Sequence, residues 1–190
     1  MQDIAHVLED NNYTVFLPQR DGFEFANLNR FFLKRGYSLQ HTTIILNRAI
    51  FCLDVFHVLD SDGLVLNMNG RVPDEGAMVE AGIAWTAGKK IVIYKNDSRS
   101  LINGNDNPLL LGLADFKIIT DIHAVVGIFD NYFTSGPGQN SLPKINDLNA
   151  KTLYNQGKKI ALLADQRMQA DDLCRQLIKT LGEGNEYTFE

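Results

Sequence analysis

The sequence is poor in the features that mark several large classes of protein. It has only two cysteines, Cys52 and Cys174, each in apolar helical surroundings, so we expect reduced, packed thiols and neither a disulfide framework nor a metal site. Its 18 Lys and Arg residues do not outnumber its 23 Asp and Glu residues, and the net charge is −5. With no basic block, nothing in the charge pattern favours a nucleic acid partner.

Long hydrophobic runs are missing as well. No stretch approaches the roughly 18 consecutive apolar residues of a membrane span, and Met1 is followed at once by the polar pair Gln2-Asp3, unlike a signal peptide. We therefore expect a cytoplasmic protein with no membrane partner. The four histidines are scattered singly along predicted helices, so no metal and no cofactor is expected.

What is present is an ordinary globular composition with alternating strand and helix patterns. The 190 residues suffice for one domain and a helical appendage, which we place at residues 1–135 and 136–190. The alternation predicts a mainly parallel sheet covered on both faces, with ligands beyond the carboxyl ends of its strands. Strands are predicted at 13–17, 64–68, 91–94 and 116–119, and helices at 2–11, 24–35, 38–59, 74–87, 121–134 and within 144–181.

Two acidic residues of the predicted helix 74–87 invite different interpretations. Asp74 stands at its start, where an aspartate is a good N-cap, and this structural role accounts for Asp74 by itself. Glu80 has almost entirely apolar neighbours, and burying an unpaired carboxylate is costly. A catalytic role and a structural ion pair both stay open for Glu80. Trp85, on the same helix, is expected in the core or in a subunit interface.

Asp54 lies on the preceding helix and could reach the same crevice. Carboxylates that share one cleft cannot all ionise freely, so one of them should hold a proton near neutral pH. Cleavage of a glycosidic bond uses carboxyl groups in two different states. An ionised carboxylate attacks the sugar carbon, and a protonated acid gives its proton to the departing group. The spacing of the three acidic residues suggests this chemistry without being diagnostic of it.

Two blocks of sequence resemble the nucleoside 2-deoxyribosyltransferase family. One is Asp62-x-Leu-Val-Leu-Asn67, followed by Pro73-Asp74-Glu75-Gly76-x3-Glu80-x-Gly82-x-Ala84 and Gly88-Lys89; the other is Leu17-Pro18-Gln19-Arg20-Asp21-Gly22. The resemblance covers residues 1 to about 133. It implies an α/β, flavodoxin-like, doubly wound parallel sheet and an enzyme that moves 2-deoxyribose between nucleobases. Deoxynucleosides and free nucleobases would be its substrates, and the active sites of a homo-oligomer would be shared between subunits.

The resemblance also implies a role for each candidate residue. Glu80 would attack C1' and form a deoxyribosyl ester, Asp54 would assist protonation of the base, and Asp74 would face the sugar hydroxyls. An asparagine from a neighbouring subunit would reach the site, and the best matches are Asn107 or Asn105. Gly76 belongs to the same motif, and the residues that would border the base pocket are Gln19, Arg20 and Asp21.

The sequence departs from the family pattern in three places. The chain starts inside the helix that should follow the family's first strand, so we expect that strand to be lacking, either because the sequence is a fragment or because this relative has lost part of the pocket. Ala77 replaces a threonine that commonly follows the glycine at position 76, and the C-terminal helical extension after residue 144 has no counterpart in the family core. Two alternatives stay open: a deoxynucleoside 5'-monophosphate N-glycoside hydrolase, which tends to have serine at the position of Asp74, and a non-catalytic nucleoside-binding module.

Overall fold

The computed structural model describes residues 1–22, 25–70, 74–99, 105–135, 148–165 and 169–182 and divides into two compact units. The sheet unit comprises Met1–Leu17 and Val58–Lys144, and the helical unit comprises Pro18–His57 and Ile145–Glu190. The predicted domain division at residue 135 stays a prediction. In chain order the elements are α1 (Gln2–Glu9), α2 (Pro18–Asp21), α3 (Phe25–Lys34), α4 (Leu39–Asp60), β1 (Gly63–Asn67), α5 (Glu75–Thr86), β2 (Lys90–Tyr94), α6 (Pro108–Gly112), β3 (Ile118–Ile119), α7 (Ala124–Ser135), α8 (Leu148–Asp165) and α9 (Ala170–Leu181).

The sheet unit is built on three parallel strands in the order β1-β2-β3. Because side chains alternate along a strand, Leu66 and Ile93 face a core formed with α5 and α6, whereas Val92 faces a second core formed with α1 and α7. The sheet is therefore covered on both faces, as predicted. Such a mixed α/β arrangement is consistent with a flavodoxin-like fold.

Residues 13–17 correct one expectation, since they form no strand although their composition favours one. The backbone N–H of Tyr13 donates to the Leu8 carbonyl at 3.1 Å, and the Tyr13 ring packs against Phe129 and Phe133. The Tyr13 hydroxyl donates to Asp130 Oδ1 at 2.6 Å, and desolvation together with this bond raises the pKa of Tyr13 to about 12. The segment therefore stabilises the α1–α7 face through its side chains.

Two further boundaries differ from the sequence prediction. The strand expected at 116–119 is confined to Ile118–Ile119, because Asp115 and Phe116 adopt positive φ angles of 54° and 61° in the preceding turn. The polar loop expected after Leu17 contains the short helix α2, which begins at Pro18, a residue that favours the first helical position.

The helical unit has its own apolar core, formed between α3, α4, α8 and α9 and centred on the fully buried Phe32, Ile45, Ile160 and Leu177. Cys52 and Cys174 are buried in this core as free thiols, and desolvation raises the pKa of both. The backbones of α8 and α4 approach closely at Gly157, where a Cβ atom would overlap the Cys52 carbonyl oxygen and the Phe56 side chain.

Helix α4 is more apolar over its length than we expected from the absence of long hydrophobic runs. Its 22 residues are long and apolar enough to cross a membrane, although 56% of the relevant window is buried inside the protein. A buried core helix passes the same test, so this feature is weak evidence for a membrane span.

Candidate active site

The N-terminal end of α5 is fixed by Asp74. The Asp74 side chain accepts a hydrogen bond from the backbone N–H of Ala77 at 3.1 Å, which caps the helix as predicted. Gly76 fits close to this cap, because a Cβ atom there would lie 3.2 Å from Asp74 Oδ1. Asp74 is exposed, so its carboxylate is accessible to a ligand as well as bonded to its own helix.

Glu80 lies two turns further along α5 on the side that faces the protein interior. At about 100° per residue, its direction falls close to those of Ala77 and Ala84, and Ala84 is fully buried. Glu80 itself is half-buried, which confirms the expected partial burial. Glu80 takes part in a polar or electrostatic interaction, however, so a functional argument for Glu80 cannot rest on an unpaired charge.

Hydrogen bonds join the loops that follow β1 and β2. The Asn96 backbone N–H donates to Asn69 Oδ1 at 2.7 Å, and the Gly70 N–H donates to Asp97 Oδ2 at 3.1 Å. Asp97 also accepts from Arg99, whose Nε lies 2.8 Å from Oδ2, and this partner holds the Asp97 pKa well below its usual range. The structure therefore supports a loop-ordering ion pair for Asp97 and Arg99.

A nearly buried ion pair follows β2, and sequence reasoning missed it. Lys95 Nζ lies 2.5 Å from Asp106 Oδ1, and these side chains are only 8% and 13% exposed. Lys95 also donates its backbone N–H to the Ile119 carbonyl at 2.9 Å, which attaches the residue to β3. The available signal was a lysine placed directly after the buried run Ile91–Tyr94, because a buried lysine needs a partner.

The two candidate asparagines flank Asp106. Asn107 caps α6, since its Oδ1 accepts from the Leu109 N–H at 3.0 Å, and Asn105 is exposed one residue before Asp106. The Lys95–Asp106 pair therefore anchors the segment that carries both asparagines.

Asp54 lies in the helical unit, on α4, in a different electrostatic setting. It is half-buried, and desolvation raises its pKa above the ordinary value of 3.8. Within the described part of the chain, its carboxyl has no hydrogen-bond or ion-pair partner. The cause of the raised pKa is therefore burial, which disfavours the charged form of the carboxyl.

The candidate base-pocket residues lie on the short helix α2 of the helical unit. Arg20 and Asp21 pair with each other, with Arg20 Nε 2.7 Å from Asp21 Oδ1 and Nη2 2.9 Å from Oδ2. Gln19 precedes them and is exposed. The charges of Arg20 and Asp21 therefore offset each other.

A comparison with protein-family models decides which proteins this chain resembles. The model described as nucleoside 2-deoxyribosyltransferase matches residues 1–141, close to three quarters of the chain. The chain belongs to the nucleoside 2-deoxyribosyltransferase family. A search of curated proteins found no match.

Within this family member, the nine candidate residues fall into two groups. The sheet unit brings Asp74, Gly76 and Glu80 together on α5 and carries Asn105 and Asn107 on the segment that leads into α6. The helical unit carries the other four: Asp54, Gln19, Arg20 and Asp21.

Two clefts lie in the helical unit, and neither is lined by a candidate residue. One of about 320 Å³ is bordered by Tyr37, His41 and Ile178, and one of about 410 Å³ is bordered by Arg48, Phe51 and Leu153. The candidate active site is therefore identified by its sequence motif and by the chemistry of its side chains, and not by either of these clefts. In the described ranges, no group of three or more His, Cys, Asp and Glu residues is placed to hold a metal ion.

Proposed function

We propose that this chain transfers 2-deoxyribose between nucleobases through a covalent deoxyribosyl-glutamate intermediate. The family assignment supports a nucleoside deoxyribosyltransferase-type enzyme with nucleoside and nucleobase substrates. The observation that carries the finer proposal is Asp54, a half-buried carboxyl whose pKa is raised by desolvation. A raised pKa favours the acid form of a carboxyl, and a departing base requires an acid that can donate a proton.

In the first step, a Glu80 carboxylate oxygen attacks C1' as the bond from C1' to the base nitrogen breaks. The bonding electron pair stays with the base, and Asp54 donates its proton to the base. Positive charge develops at C1' in the transition state, and the Glu80 carboxylate stabilises it. The products are a free base, a deoxyribosyl ester on Glu80 and an ionised Asp54.

In the second step, a nitrogen of an incoming base attacks C1' and the bond from C1' to the Glu80 oxygen breaks. The proton lost by that base returns to Asp54, so the enzyme is restored. Two displacements at C1' retain the anomeric configuration. If water replaced the second base, the same ester would give free deoxyribose and the reaction would be hydrolysis.

The remaining candidates would bind and orient substrate. Asp74, at the N-terminus of α5, would accept hydrogen bonds from the sugar hydroxyls next to Gly76. Gln19, Arg20 and Asp21 would border the base, and Asn105 or Asn107 would enter the site of a neighbouring subunit in a cytoplasmic homo-oligomer.

The nearest alternative is hydrolysis of deoxynucleoside 5'-monophosphates. Asp74 argues against it, because a carboxylate that faces a phosphate is unfavourable by an energy on the order of 1 kcal/mol or more at an effective dielectric near 20.

A product assay tests the proposal. The protein is incubated with deoxyinosine and adenine, with deoxyinosine alone, and with deoxyinosine 5'-monophosphate, and the products are separated by chromatography. We expect deoxyadenosine and hypoxanthine in the first reaction, and a protein mass increase of one deoxyribosyl group on a Glu80 peptide after a rapid acid quench. Hypoxanthine without deoxyadenosine would indicate a hydrolase, and binding without turnover of any substrate would indicate a nucleoside-binding module.

A further inference from the structure

The loops that follow β1 and β2 are joined to each other at the carboxyl end of the sheet, the edge at which open α/β sheets bind their ligands. The pairing of the two strands continues one residue beyond β1, because the Met68 backbone N–H donates to the Tyr94 carbonyl at 2.9 Å. Two side chains, Asn69 and Asp97, extend the connection into the loops. Each of these bonds joins residues 27 positions apart in the sequence, so the loop after β2 holds the loop after β1.

Asp97 is the centre of this connection. Its Oδ2 accepts the Gly70 backbone N–H at 3.1 Å, and its Oδ1 accepts the Arg99 backbone N–H at 3.0 Å. The Arg99 side chain binds the same carboxylate from the solvent side, since it is 61% exposed whereas the Asp97 side chain is only 13% exposed. The arginine therefore offsets the charge of Asp97, and the two Asp97 oxygens hold the backbones of both loops.

Gly70 links Asp97 to the start of α5. The φ angle of Gly70 is 114°, in a region that residues with a side chain rarely adopt. Only residues 71–73 separate Gly70 from Asp74, which caps α5. The bond between Gly70 and Asp97 therefore restrains the chain shortly before the residue proposed to receive the sugar hydroxyls.

Glu80 is held in a different way from Asp74. The middle of α5 packs on the sheet through Ala81 and Ala84, which are fully buried in the core shared with β1 and β2. Asp74 is exposed at the end of the helix, so its position depends more on the loop that precedes it. Loss of the Asp97 contact should therefore disturb the proposed sugar site more than the proposed nucleophile.

We propose that Asp97 is a positioning residue, which orders the loop after β1 through the Gly70 N–H and thereby places Asp74 for the sugar hydroxyls. This inference rests on the proposed function and adds to it a residue that acts through the loop and not on the reacting atoms. The KM for a deoxynucleoside should depend on Asp97, whereas kcat should depend on it little. General instability would instead lower kcat with the folded fraction and leave KM unchanged.

Three variants and a control test the contact with Gly70. Asp97→Ala removes the acceptor, and we expect the KM for deoxyinosine to rise roughly tenfold, as for the loss of a hydrogen bond to a charged group. Asp97→Asn keeps an oxygen that can accept the Gly70 N–H, and Arg99→Gln keeps the carboxylate, so both KM values should stay within about threefold of wild type. Asp10→Ala is the matched control, because Asp10 is an exposed aspartate of the sheet unit at the end of α1.

A double-variant cycle tests whether Asp97 acts through Asp74. If it does, Asp97→Ala should add less than about twofold to KM in an Asp74→Ser background, since the sugar contact is already lost there. Equal increases in both backgrounds would overturn the proposal. So would an unchanged KM in Asp97→Ala, or a KM for Asp97→Asn as high as that for Asp97→Ala.

Two further measurements distinguish failure of this inference from failure of the proposed function. If no turnover is detected, the Kd of deoxyinosine from titration calorimetry replaces KM, so a protein that only binds nucleosides still tests Asp97. Amide hydrogen exchange at Gly70 needs no substrate, and Asp97→Ala should accelerate it. Unchanged exchange at Gly70 would overturn the inference even in an active deoxyribosyltransferase, whereas a wild type that neither binds nor converts deoxyinosine would overturn both.

Discussion

The aspartates near the sheet edge have polar partners, whereas Asp54 on α4 has none among the described residues. Asp74 caps a helix, Asp97 binds Arg99 and the Gly70 N–H, and Asp106 pairs with Lys95. Asp54 is half-buried, has a raised pKa, and has no polar partner in the described ranges. A carboxylate with a clear structural role gives little evidence of chemistry, whereas one whose burial lowers stability without compensation calls for another explanation.

Glu80 stands between these two cases. It is half-buried like Asp54 but, unlike Asp54, takes part in a polar or electrostatic interaction. Its assignment as nucleophile therefore depends on the family motif and on direct tests. The variants below test each side of the comparison, beginning with the largest expected effect.

Glu80→Ala should abolish transfer, with a loss of at least roughly 10³-fold in the initial rate, because no group would remain to form the ester. The measurement is deoxyadenosine production from deoxyinosine and adenine. Glu75→Ala, which removes an exposed carboxylate from the same helix, should stay within a few-fold of the unaltered chain. Comparable rates for the two variants would refute the nucleophile assignment.

Lys95→Met should lower the free energy of unfolding by about 3 kcal/mol, because it leaves Asp106 nearly buried without its partner. The measurement is chemical denaturation monitored by circular dichroism. Adding Asp106→Leu should recover most of the loss, since an apolar pair can replace a buried ion pair. If the double variant were as unstable as the single one, the pair would not be the source of the stability.

Asp54→Asn should lower the transfer rate roughly 10²-fold, a typical contribution of a general acid, and should also stabilise the fold at pH 7. Folding raises the pKa of Asp54, so the folded state binds more protons than the unfolded chain in the window above 3.8. Wild-type stability therefore falls as the pH rises from 3.8 through the folded-state pKa. The asparagine variant escapes that loss, and its advantage should vanish below pH 3.8.

The control for this prediction is Asp172→Asn, an exposed aspartate in the helical unit, which should change the unfolding free energy by less than about 0.5 kcal/mol. Denaturation curves across the acid range would measure both variants. An Asp54→Asn protein that is fully active, or less stable than wild type at pH 7, would remove Asp54 from the proposed mechanism.

Asp74→Ala should lower the free energy of unfolding by about 1 kcal/mol, because it removes the helix cap. Asp74→Ser keeps a capping oxygen and removes the carboxylate, so its stability should stay close to wild type. A higher KM for deoxyinosine in the serine variant would indicate a sugar-binding role beyond the cap. Equal KM values for the serine variant and wild type would leave Asp74 with its structural role alone.

Local sequence patterns predicted most of the elements, because helix periodicity, caps and apolar runs are set by near neighbours. The cap at Asp74 and the buried strand Ile91–Tyr94 are examples. The pattern failed at residues 13–17, where β-prone composition was overridden by packing of Tyr13 against α7. It also failed around Phe116, where two left-handed residues shorten the strand.

The candidate site was less predictable, because its decisive properties arise between distant residues. The raised pKa of Asp54 follows from burial, whereas sequence reasoning attributed a retained proton to competition among neighbouring carboxylates. The Lys95–Asp106 pair joins residues on opposite sides of a polar loop, and no local pattern marks Asp106 as its partner. The resemblance to the family motif identified the catalytic candidates. The burial of their side chains, and its effect on the pKa of Asp54, followed only from the folded structure.

The close approach of α8 to α4 at Gly157 has a practical consequence for engineering this protein. Replacing glycines within helices by alanine is a common route to a more heat-resistant variant, because alanine favours the helix by roughly 1 kcal/mol. Gly127, which has open space around it on α7, suits that strategy. Gly157 does not, since a single methyl group would force two backbones apart and open the core of the helical unit.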